Sequence, residues 1–272
     1  MNEPMRILSL GAGVQSTTLV LMMLHNEIKP ANHVIFADTG WEPKRVYEHL
    51  KWLEGLIAQS TMKFHRVSNG NIRRDLMTPE KKRVASLPYH TLNSEGKRGM
   101  TRRQCTMEYK ITPLTRKQRE LAGIQPRKKY KEHLVTTIIG ISSDEVERMR
   151  DASFAWMRNE YPLIDLGMSR TDCLEWCQEH KYPTPPRSAC LGCPFKSRDE
   201  WRIVRDNEED WNDVIEVDKH IRTEEFRKKT GLKSQLFLHK SAKPLDEADL
   251  RTPEEYGQFD LFNQECEGMC GL

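Results

Sequence analysis

Ser9-Leu10-Gly11-Ala12-Gly13-Val14-Gln15-Ser16-Thr17-Thr18 is the stretch from which the fold is read. Met5-Arg6-Ile7-Leu8 before it reads as a short buried strand, and Thr18–Leu24 after it as an apolar run of helical length. Strand, glycine-rich turn and helix in succession aim backbone N–H groups and a positive helix end at an anion. The glycines permit a tight turn, and the hydroxyls of Ser9, Ser16 and Thr17 add donors. No Gly-Lys-Ser/Thr ending is present, and the spacing is not that of the dinucleotide fingerprint. On these residues alone, phosphate binding and a purely geometric corner are equally good readings.

The pattern continues outward. His33–Gly40 is a second buried strand ending in Asp38-Thr39-Gly40. Pro43–Ile57 has helical spacing, with Val46, Leu50, Leu53 and Leu56 on one side, and Met62–Val67 is a third strand. Strands that alternate with helices predict an α/β fold with a parallel sheet flanked by helices. Ligands of such sheets lie beyond the carboxyl ends of the strands, where both Ser9–Thr18 and Asp38–Gly40 fall. His133–Ile141 is a further strand that runs through Gly140 into a polar turn, Ser142–Arg148. Tyr161–Ile164 reads as a connector or edge strand, and Ser169–His180 as a helix capped by Ser169 or Thr171. A helical stretch is expected over 199–227 and a short strand at Gln235–Leu238. The expected division is a nucleotide-binding domain, 1–165, and a helical, cysteine-rich region, 166–272.

Composition bounds the function. A chain of 272 residues, 31% charged, with mean hydropathy −0.72, has no apolar run of membrane-spanning length and no basic, apolar leader, so a cytoplasmic protein without a membrane partner is expected. The net charge of +3 demands no polyanion, yet residues 97–131 hold twelve Lys and Arg against two Glu, a footprint suited to nucleic acid. Most of these side chains read first as a solvated basic face. Arg102, Arg103 and Lys110 stand out because they flank Cys105.

Seven cysteines, an odd number, argue for thiol or metal chemistry over a disulfide framework. Cys190-Leu191-Gly192-Cys193 can place two thiolates on one metal. Further ligands could come from Cys105, Cys266, Cys270, or the pair Cys173/Cys177, which at i and i+4 reads first as core packing. A zinc site of Cys190, Cys193, Cys266 and Cys270 is chemically sound, and so is an iron–sulfur cluster.

In order and spacing these motifs resemble the adenine-nucleotide alpha-hydrolase (PP-loop) superfamily, and within it the iron–sulfur type of the phosphoadenylyl-sulfate (PAPS) reductase family. Ser9–Ser16 stands at the pyrophosphate loop and Asp38-Thr39-Gly40 at the Asp-Thr-Gly segment. Arg103–Ile111 with Pro113-Leu114 resembles the cysteine-plus-basic segment, and Gly140–Arg148 the Gly-Ile/Leu-Arg stretch. The resemblance implies an adenine nucleotide, ATP or a relative, with magnesium, held by Ser9, Gly11, Ala12, Gly13, Gln15, Ser16, Thr17, Asp38, Thr39, Gly40 and Gly140. It implies a 4Fe-4S cluster, zinc being the alternative, on Cys105, Cys190, Cys193 and one tail thiol, here taken as Cys266, with Cys266 and Cys270 exchangeable between the ligand and reactive roles. It further implies that Cys270 acts as a reactive thiol beside Arg103, Lys110 and Arg148. A tRNA or DNA acceptor and a sulfur-donor protein are the partners such an enzyme would use. Three readings follow: an enzyme that activates or thiolates a nucleic-acid or nucleotide substrate with release of pyrophosphate, a sulfonucleotide reductase, and a nucleotide-binding module with a structural metal. Two departures bear on the choice: Gln15 stands where ATP users commonly carry Asp, and Ser142 where an arginine is usual.

Overall fold

Apolar runs and caps of the expected kind set the elements of the computed structural model, which describes residues 3–78, 87–252 and 255. In chain order they are β1 (Met5–Leu10), α1 (Val14–Leu24), β2 (His33–Asp38), α2 (Lys44–Ile57), β3 (Lys63–Ser68), α3 (Ile72–Met77), β4 (His90–Leu92), β5 (Arg98–Met100), α4 (Thr112–Leu121), β6 (Val135–Ile139), β7 (Met157–Glu160), α5 (Pro162–Asp165), α6 (Arg170–Glu179), α7 (Arg198–Arg205), α8 (Glu208–Ile221), α9 (Glu224–Thr230) and β8 (Gln235–Phe237). Two compact units interleave along the chain. The first holds residues 1–38, 44–69 and 110–188, and the second 39–43, 70–109 and 189–272. The cut expected at 165/166 therefore runs through the first unit. Helix α6, assigned by the sequence to the C-terminal region, packs on α1 because Cys173 and Cys177 complete the same apolar core.

The first unit is a five-stranded parallel sheet in the order β3-β2-β1-β6-β7. Strand β1 is central, pairing Leu8 with Val34 on one side and with Ile138 on the other. The chain winds from β1 through β2 to β3 in one direction and then returns to the other flank of β1 at β6. A reversal of this kind opens a crevice at the carboxyl ends of the two strands where it occurs. Helix α1 is buried from Val14 to Met23 except at the half-buried Gln15, because it lies between β1 and helices α2, α5 and α6. Its core includes Leu19, Val20, Leu21, Val34, Phe36, Leu50, Leu53 and Ile138. Each such side chain, fully removed from water, contributes about 1.5–3 kcal/mol. The capping expected for α6 is present as a reciprocal box between Ser169 and Asp172.

In the second unit, β5-β4-β8 form an antiparallel sheet. The helical stretch expected over 199–227 divides into α7, α8 and α9. Ser197, Asn207 and Thr223 each cap a new start. Trp201, Val214, Val217, Phe226 and Leu236 form its core with Ile72 and Leu76. Asp218, fully buried on α8, accepts the backbone N–H groups of Leu238 and Leu245 and bonds Arg222, so one carboxylate fastens the segment after β8 to the helix. Among the described residues no helix is long and apolar enough to cross a membrane.

Thr17, proposed above as a phosphate donor, is instead fully buried, with its hydroxyl 3.0 Å from Nε2 of His49 on α2. Burial holds the His49 imidazole down from 6.5 to about 4, so the folded state keeps it neutral while the unfolded chain protonates near 6.5. The unfolded state thus binds the extra proton between these values, and stability falls as pH drops from 6.5 toward 4. The urea midpoint of the wild type should decrease between pH 7 and pH 5. In His49→Gln that decrease should shrink, which equilibrium unfolding at the two pH values measures.

Candidate functional site

The loop after β1 is shorter than the sequence implied, because α1 begins at Val14. Gly13 is its N-cap residue and carries no side-chain cap, and the first turn contains no acid. Gln15, Ser16 and Thr17 are therefore helical, and the N–H groups of the first turn have no intrahelical acceptor. Ala12 takes the left-handed conformation, φ +57°, to turn the chain into the helix. The Ser16 hydroxyl folds back to accept the Gly11 N–H at 3.2 Å and reaches the Gly13 carbonyl at 3.4 Å. Ser9, the first residue of the expected loop, remains on β1, paired with Ile35 and Ile139.

Gly140, directly after β6, explains why this turn is where it is. A Cβ on Gly140 would stand 2.9 Å from the Ser16 nitrogen and 3.2 Å from the Gln15 carbonyl carbon. Both are backbone atoms and cannot swing aside, so only glycine lets the end of β6 lie against the first turn of α1. Gly13 approaches Ser188 in the same way, with its notional Cβ 3.2 Å from the Ser188 Cβ.

Gln15 is the hub of a polar network. Its Nε2 donates to Glu145 Oε2 at 3.0 Å and to the Ser142 hydroxyl at 3.3 Å, while Arg170 donates to its Oε1 at 3.2 Å. Glu145 in turn is paired with Arg148. Ser142, where an arginine was expected, is fully buried, and Arg170 supplies a guanidinium from the N-terminus of α6. Sequence reasoning missed Arg170. It was visible only as the first residue of a capped helix, and its neighbour across space lies 155 positions earlier. The Arg170 N–H donates to the Asp144 carboxylate, which fixes that helix end beside the Ser142–Arg148 turn.

Asp38 is bound by Tyr47 and Arg66. Its carboxylate accepts from the Tyr47 hydroxyl at 2.9 Å and from Nε and an Nη of Arg66 at 2.9 and 2.6 Å. Lys110 closes the π-helical turn Met107–Ile111 that leads into α4. Within the basic run, Arg119 lies over the Phe154 and Trp156 rings, Lys117 pairs with Glu120, and Lys128 lies over Tyr130.

Thr39 and Gly40 belong to the second unit, with the cysteine turn. The Leu191 N–H donates to the Trp41 carbonyl at 2.7 Å, and the Trp41 ring covers Gly192 so closely that a Cβ there would lie 2.1 Å from it. The indole Nε1 donates to Asp213 at 2.6 Å, so Trp41 is a packing residue and no base-stacking platform. Cys190 Sγ lies 3.5 Å from the Thr39 hydroxyl and 3.7 Å from Glu42 Oε1. Gly40, at φ +70°, presents its carbonyl to Asn71 Nδ2. The Cys193 N–H closes the turn onto the Cys190 carbonyl, and His90 of β4 bonds the Pro194 carbonyl. Cys105 and Cys190 are half-buried against one apolar cluster. Burial, and next the nearby Cys105 thiol, raise the Tyr89 phenol well above its usual 10. Arg103 bonds the Thr106 hydroxyl and lies over Phe195.

No disulfide joins the five described cysteines. Cys173 and Cys177 are core residues against Thr18, and burial pushes the Cys173 thiol up to about 12. Cys266 and Cys270 lie outside the described residues.

No protein-family model matches the chain, and a search of curated proteins finds no match. Among solved structures, the chain is similar to phosphoadenylyl-sulfate (PAPS) reductase from Candida auris in its phosphate complex, with 12% identity and a TM-score of 0.41 over 68% of this chain and 76% of that one.

Because the contact at Gly140 is between backbones, Gly140→Ala should destabilise the fold by about 1–3 kcal/mol. Urea denaturation at pH 7 measures the loss.

Proposed function

We propose that this chain is an adenine-nucleotide-dependent enzyme of the PP-loop kind, in which Gly11–Ser16 holds the nucleotide's pyrophosphate. The supporting observation is the position of α1. Its N-terminus, without a side-chain cap, stands between β1 and β6, where the sheet reverses direction. Backbone N–H groups of the first turn would bind the phosphate oxygens, and the Ser16 hydroxyl would exchange its contact with Gly13 for one to the ligand. Arg170, held on Gln15, would supply positive charge as negative charge develops on the leaving pyrophosphate. Magnesium would enter with the nucleotide as its counter-ion. In this reading a nucleophile on a tRNA, DNA or nucleotide acceptor attacks the α-phosphorus. The bond to pyrophosphate breaks, and pyrophosphate leaves with the electron pair.

The thiols of Cys105, Cys190 and Cys193 suit an iron–sulfur cluster, with Cys266 as the fourth ligand and Cys270 as a reactive thiol. They do not gather within 4.8 Å as ligands of a single ion would. A cubane, whose ligands attach at separate corners, accepts wider spacing. The apolar cluster around Cys105 and Cys190 would limit water at such a site. When bound, the cluster would supply a redox-active or sulfur-donating centre, served by a sulfur-donor protein. A sulfonucleotide reductase is the second reading. Gln15 favours it, since a neutral amide held between Glu145 and Arg170 occupies the position of the carboxylate common in ATP users.

Equilibrium binding and product analysis separate these readings. Pyrophosphate release from MgATP, stimulated by RNA or DNA, is the expected result; sulfite release from adenylyl sulfate with a thiol donor would move the assignment to the second. Arg170→Ala should weaken nucleotide binding about 10- to 100-fold, the loss of one charge-assisted hydrogen bond. Absence of binding to either nucleotide overturns both, and tight binding without turnover would leave a binding module. Anaerobic purification should give brown protein with about four irons per chain, lost in Cys190→Ser. A colourless zinc protein would remove the cluster.

A further inference from the structure

Helices α1 and α6 end in the same way, and their ends meet. Each carries a histidine at its C-cap, His25 and His180. Each then takes one residue through the left-handed region, Asn26 at φ +60° and Lys181 at φ +58°. The backbone closes identically in both. Asn26 and Glu27 donate their N–H groups to Met23 and Met22, and Lys181 and Tyr182 donate theirs to Gln178 and Cys177. These are paired Schellman caps, and neither has the glycine that normally relieves the left-handed position. The two histidine rings stand 5.1 Å apart, edge to face.

One nitrogen of His25, one of His180 and one carboxylate oxygen of Glu27 all lie within 4.8 Å of one another. Among the described residues this is the group of ligand-type side chains that draws together so closely. Three features prepare it for a metal ion. First, His180 Nδ1 bonds the Trp176 carbonyl at 2.8 Å, which places the ring proton on Nδ1 and leaves the Nε2 lone pair, 3.7 Å from Glu27 Oε1. A backbone carbonyl on the far nitrogen is the usual support of a metal-bound imidazole. Second, the remaining groups are oriented from outside the trio. Trp176 Nε1 donates to Glu27 Oε2 at 3.0 Å, its ring stacks on His180 at 3.9 Å, and the Tyr182 hydroxyl bonds His25 Nε2 at 2.8 Å. Third, the negative ends of two helix dipoles converge there, and neither helix has a basic residue in its last turn.

We propose that His25, Glu27 and His180 form a site for a divalent transition ion of the zinc class. Two imidazoles and one carboxylate match the preference of zinc for nitrogen and oxygen ligands, and they leave a fourth tetrahedral position open. His25 and Glu27 are exposed, so that position is accessible to water or to a small anionic ligand. The ion would join the carboxyl ends of α1 and α6, both of which pack within the first unit. The site is separate from the cysteine turn and independent of the nucleotide reading.

Calorimetric titration of the full chain with ZnCl2 tests it, using Cys190→Ser/Cys193→Ser as the background to remove the two thiolates of the cysteine turn. The background protein should bind one zinc that His180→Ala abolishes and that Glu27→Gln weakens at least 10-fold. Glu27→Gln keeps the size of an exposed side chain, so it remains informative if the histidine variant is poorly folded. Crystals soaked in zinc should give an anomalous peak among the three side chains. Unchanged zinc stoichiometry and affinity in both variants, or an anomalous peak only elsewhere, would overturn the proposal.

Discussion

The arrangement of the first unit depends on the contact between Gly140 and the backbone of Gln15 and Ser16. With a side chain at Gly140, β6 could not end against the first turn of α1. That closeness lets Ser142 and Glu145 reach Gln15, and it lets α6, tethered through Asp144, deliver Arg170 to the same amide. The sheet reversal puts this contact at the carboxyl ends of the two central strands. Packing and candidate chemistry therefore share one constraint: a helix N-terminus kept free of side-chain caps has to be built from residues that can lie that close.

The second unit solves a different problem, which is how to hold a tight cysteine turn. Thr39–Pro43 leaves the parallel sheet directly after β2 and becomes the lining of Cys190–Cys193. Trp41 provides a carbonyl for Leu191 and a flat ring for Gly192, and Asp213 fixes the indole. A tryptophan beside a strand-end Asp-Thr-Gly fits core packing at least as well as a ligand platform, and 4% exposure leaves no ring face for a base. Its ring makes glycine the only residue that fits at position 192.

The helix carboxyl ends at His25 and His180 show a third use of the same scaffold. Helix α1 has its N-terminus at the polar network and its C-terminus at the histidine pair, so one buried helix organises both ends of the unit. Thr18 binds it to α6 midway, through the Cys173 carbonyl and the Cys177 sulfur. Two cysteines that sequence alone could assign to a metal are in fact what holds these helices together.

The sequence by itself determined the parallel α/β architecture. Apolar runs in β1, β2 and β6 alternate with helical spacing in α2 and a readable cap at Ser169, and these signals are local. It also marked the glycine turn, Gly140 and the cysteine pair, because glycine and cysteine carry their chemistry in their identity. It misjudged the start of α1, since nothing in Gly13-Val14-Gln15 distinguishes a loop from an uncapped first turn. Only the tertiary structure decided that Thr17 is spent on His49, that Asp38 is held by Arg66, that residues 39–43 join the cysteine unit, and that Arg170 and His180 come to residues 155 positions away. Such pairings depend on which faces α1 and α6 bury together, a choice made by the whole core that leaves no periodic trace in either segment.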